Sequence, residues 1–291
     1  MTCKGDYMNS LILVLLPLAL CCCTPLHGKH KSQRWNAKEY AQHSSPQYLN
    51  AIKEIPRLAL IGTESVLDIG CGNGLLDARV LAQYLPNGSI HGIDASADQI
   101  QQAIKTYAKN NRLTFEQANV LTYKPTKLYD AVISFWVLHW VKDYEQALRT
   151  LYTALKPGGK ALIGHLAERD LTLCQEAKKL LQQEPWRTYC KGYEFPIHTF
   201  PIERITQAAR SVGFAINYVQ LINETAHFKD SNQYAKHYQA LPLAGCIPAD
   251  QQATFFNEAV SKALAQEKHN PDGSITANGY VVYLLLEKPK K

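Results

Sequence analysis

A run of alternating glycines, Gly70-Cys71-Gly72-Asn73-Gly74, constrains this chain more than any other feature. Before it, Ser65-Val66-Leu67-Asp68-Ile69 reads as a short buried strand; after it, Leu75 to Leu85 continues as a helix stopped by Pro86-Asn87-Gly88. Glycines at such a junction let backbone approach a ligand where a side chain would collide, and the helix start offers unpaired N–H groups. Strand, glycine turn and helix in that order open a parallel sheet wrapped by helices.

The alternation continues. Ser89 to Ile93 reads as a strand and Ser96 to Lys109 as a helix, with Ser96 at its N-cap and Asp98 in its first turn. Leu113 to Glu116 and Tyr129 to Phe135 follow as strands, and Asp143 to Leu155 as a helix. The turn Pro157-Gly158-Gly159 precedes a strand from Lys160 to Gly164. Ile202 to Val212 is expected as a helix ending at Gly213, then a strand from Phe214 to Ile222 and a closing strand from Asn278 to Glu287. Residues 166–197 look irregular and 230–270 look helical.

The first 30 residues are set apart as a leader. Residues 11–20 are uncharged and apolar, followed by Cys21-Cys22-Cys23, but a bilayer span needs about 20 residues. With Lys4 ahead, the block has the form of a secretory h-region; cleavage, acylation of the cysteines, membrane contact through residues 11–23 and a disordered extension all stay open. Residues 31–291 are expected to form the folded domain, with cap elements at 31–60, 166–197 and 230–275.

Charge narrows the partners. The formal +6 resides at the ends, +4 in residues 1–38 and +2 in the last five, which leaves 39–286 neutral. A body without a positive field is not built to track a phosphate backbone, so no nucleic-acid partner is expected. Cys71, Cys174, Cys190 and Cys246 lack the paired short spacing of a zinc site; they are read as isolated reduced thiols, and no metal is expected.

Two details separate this glycine loop from a dinucleotide fingerprint. Gly-x-Gly-x-x-Gly would require glycine at position 75, which is Leu75. Asp68 lies two residues before the first glycine, and Asp94 ends His91-Gly92-Ile93-Asp94, where a carboxylate can accept both hydroxyls of a ribose. A ligand with a ribose and no pyrophosphate fits better than NAD. Asp-x-Gly-x-Gly-x-Gly followed by Gly-x-Asp resembles motifs I and II of the class I S-adenosylmethionine-dependent methyltransferases.

That resemblance implies a Rossmann-like α/β fold: a seven-stranded, mostly parallel sheet with an antiparallel last strand, plus a helical cap. It implies S-adenosylmethionine as cofactor and S-adenosylhomocysteine as product. The cofactor-binding positions that it marks are Asp68, Gly70, Cys71, Gly72, Gly74, Asp94 and Ala95. Phe115-Glu116-Gln117-Ala118-Asn119-Val120 resembles the adenine-reading segment, with Asn119 in place of the usual acid and Val120 beside it. An amide oxygen still accepts from an exocyclic amine. Tyr129 to Phe135 resembles the fourth strand and brings Ser134 toward the ligand; Leu155-Lys156-Pro157-Gly158-Gly159 resembles the turn before the fifth.

Phe135-Trp136-Val137-Leu138-His139-Trp140-Val141 resembles the trans-aconitate and juvenile hormone acid methyltransferases, which methylate carboxylates of small organic or fatty acids. Trp35-Asn36-Ala37-Lys38-Glu39-Tyr40 resembles their N-terminal helix, with Trp35 and Tyr40 placed to close over the methionine end. A carboxylate is ionised at neutral pH and needs no base, and alignment of the two reactants supplies most of the rate. The acceptor mouth is therefore expected to need donors and an apolar lining, from His139, Trp140 and Trp136, with no dedicated base. Trp136 and Trp140, four apart, also fit a packing stripe, and His139 also fits a cap.

The expected reaction is O-methylation of a small-molecule carboxylate by a monomer or weak dimer whose catalytic domain lies in the cytoplasm, where the cofactor is found. Alternatives are a malonyl-carrier-protein-type methyltransferase, a hydroxyl or amine acceptor with His139 as base, and a catalytically silent cofactor-binding module at a membrane.

Overall fold

The computed structural model describes residues 51–169, 171–239 and 241–290. Trp35, Tyr40 and the leader lie outside the described residues. No helix among the described residues is long and apolar enough to cross a membrane.

The core is one mixed sheet. Its strands are β1 (Ser65–Ile69), β2 (Ser89–Asp94), β3 (Leu113–Gln117), β4 (Tyr129–Phe135), β5 (Leu155–Leu166), β6 (Ala215–Phe228), β7 (Lys268–His269) and β8 (Ile275–Glu287). They run in the order β3-β2-β1-β4-β5-β8-β6, with the two-residue β7 paired beside β8. Neighbours from β3 through β5 are parallel, and β8 is antiparallel to both β5 and β6. The parallel sheet with an antiparallel last strand is therefore as expected. β1 and β4 are apolar runs, almost wholly buried, as strands with both faces covered must be.

The sheet is covered by α1 (Ala82–Tyr84), α2 (Ala97–Tyr107), α3 (Tyr144–Ala154), α4 (Thr172–Leu180), α5 (Trp186–Tyr189), α6 (Ile202–Val212), α7 (Ser231–Gln239) and α8 (Gln252–Leu264). Ser96 caps α2 by accepting from Gln99 N–H at 3.4 Å, and Asp143 caps α3 by accepting from Gln146 N–H at 3.0 Å. Gly213, at φ 109°, ends α6 where the sequence places the stop.

Five expectations are corrected. The helix expected from Leu75 to Leu85 is present over Leu75–Tyr84, but it widens into a π turn over Asp77–Leu81 before α1. β6 runs six residues past Ile222, because its partner β8 begins at Ile275 rather than Asn278. Residues 166–197, expected to be irregular, contain α4 and α5, whose apolar side chains pack in one cluster with later residues such as Phe228 and Phe255 and with Trp140. Residues 230–270 are not continuously helical: α7 and α8 are separated by a loop, and β7 follows.

The fifth concerns the thiols. Cys190 and Cys246 form a disulfide across 56 residues of chain, while Cys71 and Cys174 are buried and take no part in it. The spacing hides this pair, because only the folding of the cap brings the two segments together. That cap has its own core, in which Phe228, Tyr234, Tyr238, Phe255 and Trp186 pack with α4.

Candidate functional site

The strand order reverses between β1 and β4, and ligands of open parallel sheets bind outside the carboxyl ends of the strands at that crevice. Here the segments leaving β1, β2 and β4 converge, carrying the glycine loop, Asp94 and Trp136. Gly70 and Cys71 both donate to the carbonyl of Ile93, at 2.7 and 3.0 Å, which folds the loop back over the end of β2.

The glycines serve two purposes. Gly70 has φ 79°, and a Cβ there would lie 2.0 Å from Val137 Cγ2, so its lack of a side chain admits the segment after β4. Gly72, at φ 55°, has only Gln99 Oε1 near, at 3.9 Å. Its open face is where another molecule can come against bare backbone.

Asp94 is held by two backbone donors, Gly72 N–H at 3.0 Å and Ser96 N–H at 2.8 Å. Burial raises the pKa of its carboxyl, and the two donors act against that rise. Ala95 next to it is exposed, and its carbonyl accepts from Gln117 Nε2 at 3.2 Å. Asn119 is exposed, with Oδ1 accepting from Leu121 N–H at 2.9 Å, so one lone pair of that oxygen is already used. Val120 is buried beside it.

Ser134 and Cys71 face the protein. Ser134 Oγ donates to Ile69 carbonyl at 3.0 Å with no exposure, stapling β4 to β1. The Cys71 side chain packs toward Gly92, where a Cβ would lie 2.7 Å from its sulfur, and burial pushes its thiol pKa well up. Asp68 is buried at the end of β1.

Past β4 the chain turns sharply. Trp136 sits at φ 62°, a conformation that costs a non-glycine residue about 1–3 kcal/mol and survives where the surroundings impose it. Its N–H donates to Gly164 carbonyl at 2.7 Å, and the indole meets the His139 ring edge-on at 6.2 Å. Two atoms here are buried with no hydrogen-bond partner: Trp136 Nε1 and His139 Nδ1. A buried indole N–H without an acceptor costs about 1–3 kcal/mol, which makes these two atoms candidates for contact with a ligand.

His139 is 3% exposed, and burial together with His165 and His198 pushes its pKa well below the usual histidine range, leaving it neutral. Trp140 stacks obliquely on His139 at 5.5 Å and packs against the cap core. Trp136 also lines a cavity of about 60 Å3 under the cap, walled by Leu171, Phe228, His237, Tyr238 and Val281. The structure thus gathers Trp136, His139 and Trp140 at one mouth, with Trp136 rather than Trp140 presenting the unpartnered donor. Trp35 and Tyr40 lie outside the described residues.

Sequence reasoning missed two residues. Gln99 is buried on α2 with Oε1 unpartnered and facing Gly72; Asp77 is wholly buried with both oxygens unpartnered. A polar residue in a helix reads as solvated unless tertiary packing is known.

Comparison with known proteins agrees with this geometry. The sequence profile of a family described as "Methyltransferase domain" matches residues 39–219. The chain is similar to the juvenile hormone acid O-methyltransferase of Drosophila melanogaster, 27% identical over 254 residues, covering 81% of this chain and 84% of that protein. It is also similar to a trans-aconitate 2-methyltransferase of Rhodopseudomonas palustris, 27% identical over 153 residues, covering 53% and 58%. Among solved structures, YcgJ of Bacillus subtilis has a TM-score of 0.58 at 16% identity, covering 84% of this chain and 99% of that one. Phosphoethanolamine N-methyltransferase 2 of Haemonchus contortus, solved with S-adenosyl-L-methionine, has a TM-score of 0.56 at 19% identity, covering 87% and 56%.

Proposed function

This chain belongs to the methyltransferase domain family, and we propose that it transfers a methyl group to the carboxylate of a small organic acid. As a member of that family it is an S-adenosylmethionine-dependent methyltransferase acting on a small molecule. The site suits the cofactor: Gly72 leaves bare backbone, Gln99 Oε1 is a buried acceptor lacking a donor, and the Asp94 carboxylate stands at the end of β2. When bound, the cofactor supplies a methyl group on a sulfonium, which an acceptor oxygen attacks in line.

The residues have separable tasks. Asp94 and the loop at 70–74 hold the nucleoside, with Gly72 against it. Aromatic faces at Trp136 and Trp140 tolerate a sulfonium cation and exclude water. Trp136 Nε1–H donates to the acceptor carboxylate, and His139 adds a second donor from whichever ring nitrogen carries its proton.

The observation that carries this reading is the buried, unpartnered indole N–H of Trp136, held at a left-handed φ directly after β4. A donor-only group of that kind selects an acceptor-only ligand atom, which a carboxylate supplies. An acceptor hydroxyl would need a base near neutrality, and the depressed pKa of His139 makes it a weak one. The Drosophila and Rhodopseudomonas relatives, named for acid substrates, support the same class.

The test is a transfer assay with methyl-labelled cofactor over a panel of small carboxylic acids. A label released as methanol by mild alkali marks an ester; alkali-stable label in every product overturns the carboxylate reading. We place the catalytic body in the cytoplasm because of its cofactor, whereas the Cys190–Cys246 disulfide favours an oxidising compartment. Fractionation of the tagged full chain decides between them.

A further inference from the structure

The cavity under the cap holds a carboxylate to which the methyl transfer assigns no task. Its floor is one face of the β6–β8 pair, where antiparallel register sets Glu224 opposite Gly279 and Ala226 opposite Ala277. Ala226 and Ala277 are small, so a hollow remains between that face and Leu171, His237 and Tyr238. At Gly279 the roof comes down instead: a Cβ there would lie 2.6 Å from Leu171 Cδ2.

Charge in the lining is one-sided. Among the described residues that wall the cavity, Glu224 is the one carboxylate, and none is lysine or arginine. Tyr283 Oη donates to Glu224 Oε1 at 3.1 Å, which fixes the group without neutralising it. Arg57, stacked on Tyr218 of β6 at 3.7 Å, is taken by Glu54 at 2.6 Å. His237 lays its ring against those of Phe228 and Tyr238, at 5.4 and 4.9 Å. Trp136 lines the same cavity, and its Nε1 is buried without a partner. The strand before it, β4, stands three places from β6 in the sheet, roughly 14 Å at the usual strand spacing.

Resting on the carboxylate reading above, we infer that Glu224 is a specificity-determining residue that confines the acceptor to monocarboxylic acids with an apolar tail. The reacting carboxylate meets Trp136, and the tail runs from it across the sheet, over Ala226 and Ala277 and against Phe228 and Tyr238. A second carboxylate on that tail would leave water to face Glu224 with no lysine or arginine beside it. Desolvation and like-charge repulsion both reject it. Glu224 touches no reacting atom; its effect is to exclude the wrong acid.

The test is a transfer assay on the full chain with pairs of unbranched acids of equal length, from butanoate and butanedioate to octanoate and octanedioate, read as alkali-labile label. Wild type should use each monoacid with a kcat/KM about 100-fold above that of its diacid. Glu224→Gln keeps the oxygen that Tyr283 needs and removes the charge, so that ratio should shrink at least about tenfold. Ala226→Leu fills the hollow and should lower kcat/KM for octanoate far more than for butanoate. Diacids used as well as monoacids, the result expected if His237 held a second carboxylate, overturn the inference and leave the carboxylate reading intact. So does a ratio unchanged in Glu224→Gln, or a chain-length profile unchanged in Ala226→Leu. Alkali-labile product from none of these acids or any other overturns the carboxylate reading itself, and the inference with it. The wild-type ratio and the Ala226→Leu profile stand even if Glu224→Gln does not fold.

Discussion

The backbone N–H of Gly72 donates to the carboxylate of Asp94 at 3.0 Å, so the open glycine and the acid after β2 form one unit. Asp94→Ala breaks that unit and removes the acceptor for a ribose. Its affinity for S-adenosylhomocysteine should fall roughly 30-fold or more, about what losing hydrogen bonds to a charged group costs. Equilibrium dialysis checks this, and an affinity within twofold of wild type would contradict it.

Gly70→Ala and Gly72→Ala should differ in kind. A methyl at Gly70 runs into Val137, so that variant should lose several degrees of Tm. At Gly72 the protein leaves room, so the left-handed φ adds only about 1 kcal/mol of strain and the main loss is cofactor affinity. Thermal melts with and without S-adenosylhomocysteine separate the two. Equal destabilisation without ligand would count against an open face at Gly72.

Trp136→Phe keeps the ring and removes the N–H. With a carboxylate acceptor, kcat/KM should fall about 10- to 100-fold while cofactor affinity is unchanged. Steady-state kinetics on the best acid from the panel would show it, and unaltered kcat/KM would move the clamp elsewhere.

Much of this site is legible in the sequence because its chemistry is local. Gly70, Gly72, Gly74, Asp68 and Asp94 announce themselves through backbone geometry and position at strand ends. Asp77 and Gln99 do not, because their burial is created by helices packing onto β1 and β2. Ser134 reads from its place at the end of β4 as a residue near the ligand, while in the fold its hydroxyl donates to the Ile69 carbonyl. The helices at Thr172–Leu180 and Trp186–Tyr189 escape notice because their apolar faces close against residues more than 30 positions later.

Stability should depend on pH through His165, which is wholly buried between Tyr144 Oη at 2.9 Å and Leu166 carbonyl at 2.7 Å. Burial lowers its pKa to about 4. The unfolded chain protonates it below about 6.5 and the folded chain only near 4, so stability is full above that window and is lost as pH falls through it. The loss amounts to roughly 3 kcal/mol. The raised acids Asp68 and Asp77 act oppositely, their contribution being present at low pH and fading as pH rises. Comparing denaturant unfolding of wild type and His165→Gln from pH 7 to 4.5 isolates the histidine, and parallel curves would contradict this assignment.

The cap should be fastened by Cys190–Cys246. Closing a loop of 56 residues restricts the unfolded chain by about 4 kcal/mol. Alkylation of the denatured, unreduced protein should label Cys71 and Cys174 and spare Cys190 and Cys246 until reductant is added; peptide mapping reads the result. Labelling of all four without reductant would mean that the bond is not made.

The most direct test of the site is a crystal structure with S-adenosylhomocysteine. Both ribose hydroxyls should lie within hydrogen-bonding distance of the Asp94 carboxylate, with the ligand against Gly72 and its sulfur facing the Trp136 side of the crevice. A ligand bound away from residues 70–74, or a ribose out of reach of Asp94, would contradict it.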